Sequence, residues 1–236
     1  MLYIYSDDVP ELDMMLREVL GARHRLTVIP ASPRDRPSAR HQVAALRHAG
    51  LHARLQSTRA YRDPVCLRNI VFNSDAVYLM GGNTFEFLAY ARVSGLFPIL
   101  HEYEMQGGII AADSAGSIIL SPNIATALIP TTCPDEQLIE LDGYEGMGRL
   151  PFHVSPHFDP SSPESGNEVV ELQALADLSA MPVVVLQDGE GFVMNGLSMV
   201  HTHGQPLVLE ANREAASVAV IPPYIPAWAV SVNRGA

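Results

Sequence analysis

The segment GGIIAADSAGSIILSP, residues 107–122, decides the fold class of this chain. From the second glycine of its pair onward, the run 108–112 is typical of a central strand in a parallel sheet. Residues 115–120 then restart an apolar, helix-like pattern without an intervening loop. The chain must therefore turn sharply at Ser114, where small neighbours let the backbone fold back. A serine in such a turn projects from the carboxyl edge of the sheet at the start of a helix, which is the geometry of a nucleophile elbow. In an elbow, the N–H of Ala115 would help to stabilise an oxyanion.

The flanking sequence alternates strand-like and helix-like segments, the pattern of a mostly parallel sheet with helices on both faces. Strands are predicted at 2–6, 25–31, 51–58 and within 75–84, helices at 10–21, 39–50 and 97–106, and a hairpin at 189–200. We therefore predict a single α/β domain over residues 1–236. The proline-rich, apolar stretch at about 218–236 is expected to form an extended C-terminal arm, which is a candidate contact for a homodimer.

Composition narrows the class of partner. The 26 acidic residues against 15 basic ones give a net charge of −11, and no basic block is interleaved with aromatic residues, so nucleic acid is not expected as a partner. No apolar run approaches the roughly 18 residues of a membrane span, and no positive segment precedes an apolar stretch at the N-terminus, so we expect a cytoplasmic protein without a membrane partner. Cys66 and Cys133 are too few for a disulfide framework or a metal site, and His201 with His203 makes an incomplete ligand set. We expect no metal and no organic cofactor.

An elbow serine needs a base, and His157 in VSPHFDP (154–160) is the main candidate. His157 follows a strand-like segment at 150–154, so in a parallel sheet it would reach the same edge as Ser114. His153 is the rival base, although the strand pattern favours packing it along the strand. Taken singly, each motif also fits an ordinary structural role, a serine N-cap or a surface histidine.

Three segments together carry a family resemblance: GGNTFEFL at 81–88, ADSAGSIILSPNI at 112–124 and FHVSPHF at 152–158. With these motifs the sequence resembles the peptidase E (aspartyl dipeptidase) and cyanophycinase family of serine peptidases, over about residues 65–205. The resemblance implies a fold related to the class I glutamine amidotransferases. It also implies a hydrolase that cleaves amide bonds in small peptides through an acyl-enzyme.

The resemblance assigns roles residue by residue. Ser114 matches the nucleophile, His157 the general base, and Gly82 the second oxyanion donor beside Ala115. The chemistry is consistent, because a serine hydroxyl attacks at neutral pH only when an imidazole takes its proton and two N–H groups meet the developing charge.

The third catalytic residue is less defined. Relatives use an aspartate or a glutamate between the serine and the histidine, but the position fifteen residues after the serine, an aspartate in the peptidase E pattern, is Ile129 here. A Ser-His-Glu arrangement fits Glu136 best by loop position, with Asp135 second. The alternative is that both are solvated acids of an exposed loop.

Substrate preference departs from the family pattern. Aspartate-specific relatives carry an arginine shortly after the histidine, whereas residues 161–178 contain no arginine or lysine, so an Asp-X preference is not supported. Glu164 and Glu168 are candidates for holding a substrate amino group and also fit as first-turn helix acids. Asp113, beside the serine, is a candidate either for binding a substrate amine or for tuning His157. The alternatives to a small-peptide peptidase are an esterase, a cyanophycinase-like isopeptidase, and a catalytically idle relative that binds a small ligand.

Overall fold

A computed structural model describes residues 1–129 and 135–212. Its strands are β1 (Leu2–Tyr5), β2 (Leu26–Ile29), β3 (Ala53–Leu55), β4 (Ala76–Leu79), β5 (Ile109–Asp113), β6 (His153–Ser155), β7 (Val183–Val185), β8 (Gly191–Asn195), β9 (Ser198–His203) and β10 (Leu207–Leu209). Its α-helices are α1 (Pro10–Leu20), α2 (Arg36–His48), α3 (Pro64–Phe72), α4 (Thr84–Ser94), α5 (Leu96–Met105), α6 (Ala115–Ile118) and α7 (Ser165–Ser179).

The larger sheet has the strand order β3-β2-β4-β5-β1-β8-β9. Its first five strands are parallel, and β8 and β9 extend it as an antiparallel hairpin beside β1. The predicted α/β class with a mostly parallel sheet is confirmed. The predicted strand 51–58 is shorter than expected, because 58–61 form a 3₁₀ turn in which the Ser57 hydroxyl accepts the Arg59 N–H. The α3 helix was not predicted.

Both faces of the larger sheet are covered, as the alternation of side chains along β1 illustrates. Leu2 and Ile4 belong to the core that lies under α3, α4 and α5, whereas Tyr3 and Tyr5 belong to the core under α1 and α2. Residues at positions i and i+2 of a strand share a face, so a continuously apolar strand requires helices on both sides. All four β1 side chains are buried.

A smaller sheet, ordered β10-β7-β6, lies beside the larger one. Its strands β6 and β7 are parallel, and the short β6 replaces the strand predicted at 150–154. The valines Val183 and Val185 pack with Leu172 of α7 in a third apolar cluster. Because β6 and β7 run in the same direction, the residues that follow them emerge at the same edge.

Several predictions concern the ends of the chain or its surroundings. The expected C-terminal arm at about 218–236 and Cys133 lie outside the described residues. Within the described part, no helix is both long enough and apolar enough to cross a membrane. The prediction of a single domain over 1–236 stays a prediction.

Candidate active site

Ser114 occupies a sharp turn between β5 and α6, with φ 49° and ψ −120°. Hydrogen bonds to backbone carbonyls of β1 and of β5 itself hold this turn. The Ser114 N–H donates to the Tyr5 carbonyl at 3.2 Å, and the Ser117 hydroxyl donates to the carbonyls of Tyr5 at 2.9 Å and Ala112 at 2.8 Å. The strand-turn-helix expected from the sequence is present, although α6 is a single turn.

Close backbone approach explains the glycines around the turn. A Cβ atom at Gly116 would lie 2.1 Å from the Leu79 carbonyl oxygen, and one at Gly81 would lie 2.9 Å from the Ser114 Cβ atom. The Gly81 N–H donates to Asp113 Oδ1 at 2.8 Å, which ties the GGN turn to the residue before the serine. Glycine at both positions therefore lets the turn after β4 lie directly against the elbow.

His157 follows β6 and faces the serine. The Ser114 Oγ–H donates to His157 Nε2 at 2.8 Å, and His157 Nδ1–H donates to Asp188 Oδ1 at 2.7 Å. Because a carboxylate only accepts, Nδ1 carries the proton and Nε2 is left as the acceptor for the serine hydroxyl. The Ser6 hydroxyl braces both partners: it accepts the His157 backbone N–H at 2.8 Å and donates to Asp188 Oδ1 at 3.3 Å. Ser6 and Asp188 complete a chain of hydrogen bonds that starts at Ser114.

Backbone strain is concentrated at Ser114 and His157, the two residues joined by the hydrogen bond described above. Only three non-glycine residues in the described part of the chain have positive φ, and two of them are Ser114 at 49° and His157 at 63°. The third, Ala180, terminates α7. Such strain persists only where the surrounding contacts fix the backbone, and it is common where side chains are positioned for chemistry.

The prediction that Glu136 or Asp135 is the partner of His157 is wrong. Asp135 Oδ2 instead accepts the Thr84 backbone N–H at 2.8 Å, and the Glu136 carbonyl accepts the Asn83 side-chain amide at 2.7 Å. Asp135 thus caps the first N–H of α4, and the backbone of Glu136 holds the side chain of Asn83, the N-cap residue of that helix. Asp188 takes the predicted place because β7 lies next to β6, so its following loop meets the loop that carries His157.

A signal for Asp188 was present in the sequence. The apolar run 183–186 ends in Gln187-Asp188-Gly189, a strand followed by an acidic turn. Its pairing with β6 is a long-range contact, so the local pattern alone did not connect Asp188 to the histidine. Ser6, at the end of β1, was likewise placed in a strand without a role.

Burial distinguishes the two histidines and sets the ionisation of Asp113. His153 is fully buried in β6, and burial lowers its pKa to about 4, so it is neutral and packed, as the strand pattern favoured. The pKa of Asp113 is raised to about 8, mainly by burial. The hydrogen bond from the Gly81 N–H lowers this pKa, and the nearby carboxylates of Asp7 and Asp8 raise it.

A cavity of about 450 Å³ opens beside the serine. Its lining comprises Gly82, Thr84, Ser114, Ile118, Ala127, Asp135, Pro156, His157, Asp159 and Asp188. Ala115 is the first residue of α6, so its N–H has no acceptor within that helix. The roles of Gly82 and Ala115 as oxyanion donors stay predictions.

Other predicted ligands do not join this cavity. Glu168 is buried in the first turn of α7, and Glu164 is exposed beside that turn. His203 Nε2, on the edge strand β9, lies 3.4 Å from Glu11 Oε2. In residues 1–129 and 135–212, no group of three or more His, Cys, Asp or Glu side chains has the arrangement of a metal site.

Comparison with known proteins agrees with this geometry. The sequence profile of peptidase family S51 matches residues 5–201, most of the described chain. The chain belongs to peptidase family S51. The family predicted from the three motifs is thereby confirmed.

The S51 relatives share limited identity with this chain. It is 27% identical to the peptidase E of Streptomyces coelicolor over 201 residues, which cover 83% of this chain and 75% of that protein. It is 25% identical to the peptidase E of Salmonella arizonae over 150 residues, 61% of this chain and 63% of that protein. The match with the Salmonella protein therefore spans less than two thirds of its length.

Solved structures share the fold. A candidate peptidase E from Listeria monocytogenes EGD-e superimposes with a TM-score of 0.69 at 24% identity, covering 86% of this chain and 96% of that one. A peptidase from an acI-B1 actinobacterium gives a TM-score of 0.58 at 16% identity, covering 87% and 95%.

Proposed function

We propose that this protein is a serine peptidase that cleaves amide bonds in small peptides through an acyl-enzyme. The observation that carries the proposal is the continuous hydrogen-bonded chain from Ser114 through His157 to Asp188, set at the wall of a cavity. Nucleophile, base and orienting acid at hydrogen-bonding distance are the arrangement that serine acyl transfer needs. Membership of family S51 supports the same activity.

The first half of the reaction forms an ester. Ser114 Oγ attacks the scissile carbonyl carbon while its proton passes to His157 Nε2, and Asp188 stabilises the resulting imidazolium through Nδ1–H. The negative charge moves to the carbonyl oxygen, where the N–H groups of Gly82 and Ala115 are the proposed donors. His157 then gives its proton to the leaving amine, the C–N bond breaks, and the acyl group remains on Ser114.

The second half restores the enzyme. A water molecule loses a proton to His157 Nε2 as it attacks the ester carbonyl, and His157 returns that proton to Ser114 Oγ as the C–O bond breaks. The acid product leaves. Protonation of Nε2 before attack removes the acceptor for the serine proton, so activity is expected to fall at acidic pH.

The cavity supports small substrates. A volume of about 450 Å³ is within the range of pockets that hold small ligands, and it suits a few residues of peptide rather than a folded protein. A cytoplasmic location and a homodimer remain predictions that accompany this proposal.

The test combines labelling with substrate profiling. We expect a fluorophosphonate to label the wild type at Ser114, and a pooled dipeptide and tripeptide library followed by mass spectrometry to show cleavage. Ser114→Ala, which removes only the hydroxyl, should lose both. Labelling without peptide cleavage would point to an esterase or an isopeptidase, and the absence of both would leave a ligand-binding relative, recognisable by a ligand-induced rise in Tm.

A further inference from the structure

The wall of the active-site cavity carries unbalanced negative charge. Of the described residues that line it, Asp135, Asp159 and Asp188 are carboxylates and none is arginine or lysine. Asp188 is hydrogen-bonded to His157. Asp135 and Asp159 have no basic side chain beside them in the lining, so their negative charges are not neutralised there. A substrate carboxylate would enter a cavity whose own charges repel it.

The Asp159 carboxylate lines the cavity and is held in position by hydrogen bonds. It is exposed, lies two residues after His157, and accepts hydrogen bonds from the Ser161 N–H at 2.9 Å and the Ser161 hydroxyl at 2.6 Å. These bonds lower the pKa of Asp159 below its usual range. The carboxylate is therefore ionised at neutral pH.

A buried hydroxyl gives a second, independent sign that a polar ligand fits here. Thr84 is fully buried, lines the same cavity, and its Oγ1 atom has no hydrogen-bond partner among the described residues. Leaving a buried hydroxyl unsatisfied is costly, which favours a ligand that supplies a hydrogen-bonding group at this point. The Thr84 backbone N–H donates to the Asp135 carboxylate, so a negatively charged group already occupies the N-terminus of α4.

We propose that this cavity selects peptides that present a cationic group next to the scissile amide and discriminates against acidic side chains, with Asp159 as the charge that recognises the substrate. The inference rests on the proposed peptidase function. The cation is either a free amino terminus or a basic side chain, since both offer the same charge and the same N–H donors to a carboxylate.

The substrate arm of the test uses dipeptides with a common leucine leaving group. Asp-Leu and Asn-Leu differ by one charge at nearly constant shape, and we expect a several-fold higher kcat/KM for Asn-Leu. Leu-Leu against acetyl-Leu-Leu isolates the amino terminus, and Lys-Leu against Gln-Leu isolates the side chain. The pair with the larger ratio identifies which cation is recognised.

The variant arm compares Asp159→Asn with Glu164→Gln, which removes one negative charge from an exposed residue of the same loop outside the cavity lining. For Asp159→Asn we expect KM for the preferred cationic substrate to rise roughly two- to five-fold with kcat unchanged, the range of an exposed charge pair. The rise should shrink at high salt, because screening weakens interactions between exposed charges. Glu164→Gln should match the wild type.

The outcomes separate this inference from the proposed function. Cleavage of Asp-Leu at least as fast as Asn-Leu would overturn the inference while leaving the peptidase intact, as would an equal response of all substrates to Asp159→Asn or the same response to Glu164→Gln. If no peptide is cut and Ser114 is not labelled, the proposed function fails and the inference fails with it.

Discussion

Replacing Asp188 by asparagine tests the assignment that the sequence missed. Asp188 Oδ1 lies 2.7 Å from His157 Nδ1, but its side chain is 63% exposed, so water weakens the charge interaction that stabilises the imidazolium. Two unit charges about 4 Å apart interact by about 1 kcal/mol in bulk water and about 4 kcal/mol near a protein surface. We therefore expect Asp188→Asn to lose roughly 5- to 1000-fold in kcat/KM.

A second variant at the same position separates charge from tautomer. An asparagine amide can donate to Nδ1, which places the imidazole proton on Nε2 and removes the acceptor for the Ser114 hydroxyl. Alanine lets water accept from Nδ1–H instead. Asp188→Asn should therefore be no more active than Asp188→Ala.

The assay is kcat/KM on the best peptide together with the rate of fluorophosphonate labelling, with Tm measured to verify folding. Glu136→Gln is the control, because the Glu136 side chain is exposed and does not line the cavity. Wild-type activity in Asp188→Asn, combined with collapse in Asp135→Asn or Glu136→Gln, would refute the assignment and restore an acid from the loop between serine and histidine.

Three further predictions concern stability. Asp113 has its pKa raised to about 8, so the folded state holds a proton that the unfolded chain releases above about pH 4. The contribution of Asp113 to stability should therefore fall between pH 4 and 8, and Asp113→Asn should exceed the wild type by about 1–3 kcal/mol at pH 8 but not at pH 4, in urea unfolding. His153 has its pKa lowered to about 4, so the unfolded chain takes up the proton first as the pH falls. The contribution of His153 to stability should drop by up to about 3 kcal/mol from pH 7 to pH 4, and the same pH dependence in wild type and His153→Gln would contradict that origin. Gly116→Ala places a Cβ atom 2.1 Å from the Leu79 carbonyl oxygen, and the backbone shift it forces should cost about 2–3 kcal/mol, whereas an unchanged urea midpoint would show that the turn can relax freely.

Local sequence patterns predicted those strands, helices and turns whose formation depends mainly on the residues within them. The run 108–112 and the small residues after it specified a buried strand and a sharp turn, because a strand period and close backbone approach are readable within a few positions. The strand predicted at 51–58 was too long, because Ser57 caps a 3₁₀ turn there. The α3 helix was not predicted, because its residues carry no strong alternation of apolar and polar positions.

The proposed catalytic acid, Asp188, could not be identified from local sequence patterns. Local pattern placed Ser114 and His157 at strand ends, and the family motifs gave them roles, but the motifs do not include the acid. Loop position then favoured Glu136 and Asp135, but Asp135 caps the first N–H of α4, and Glu136 contacts the N-cap residue Asn83 through its backbone carbonyl. Which carboxylate reaches Nδ1 depends on which strand lies beside β6, a pairing between residues 30 positions apart.

The sequence by itself determined the fold class, the elbow and the histidine, because each is encoded in a contiguous segment whose pattern permits few alternatives. Only the tertiary structure decided the rest: the parallel pairing of β6 and β7 that delivers Asp188, the end of β1 that places Ser6 between histidine and acid, and the three carboxylates around one cavity. The physical reason is that these contacts join separate strands, and the free energy that selects them comes from burying the cores of two sheets together rather than from any local preference.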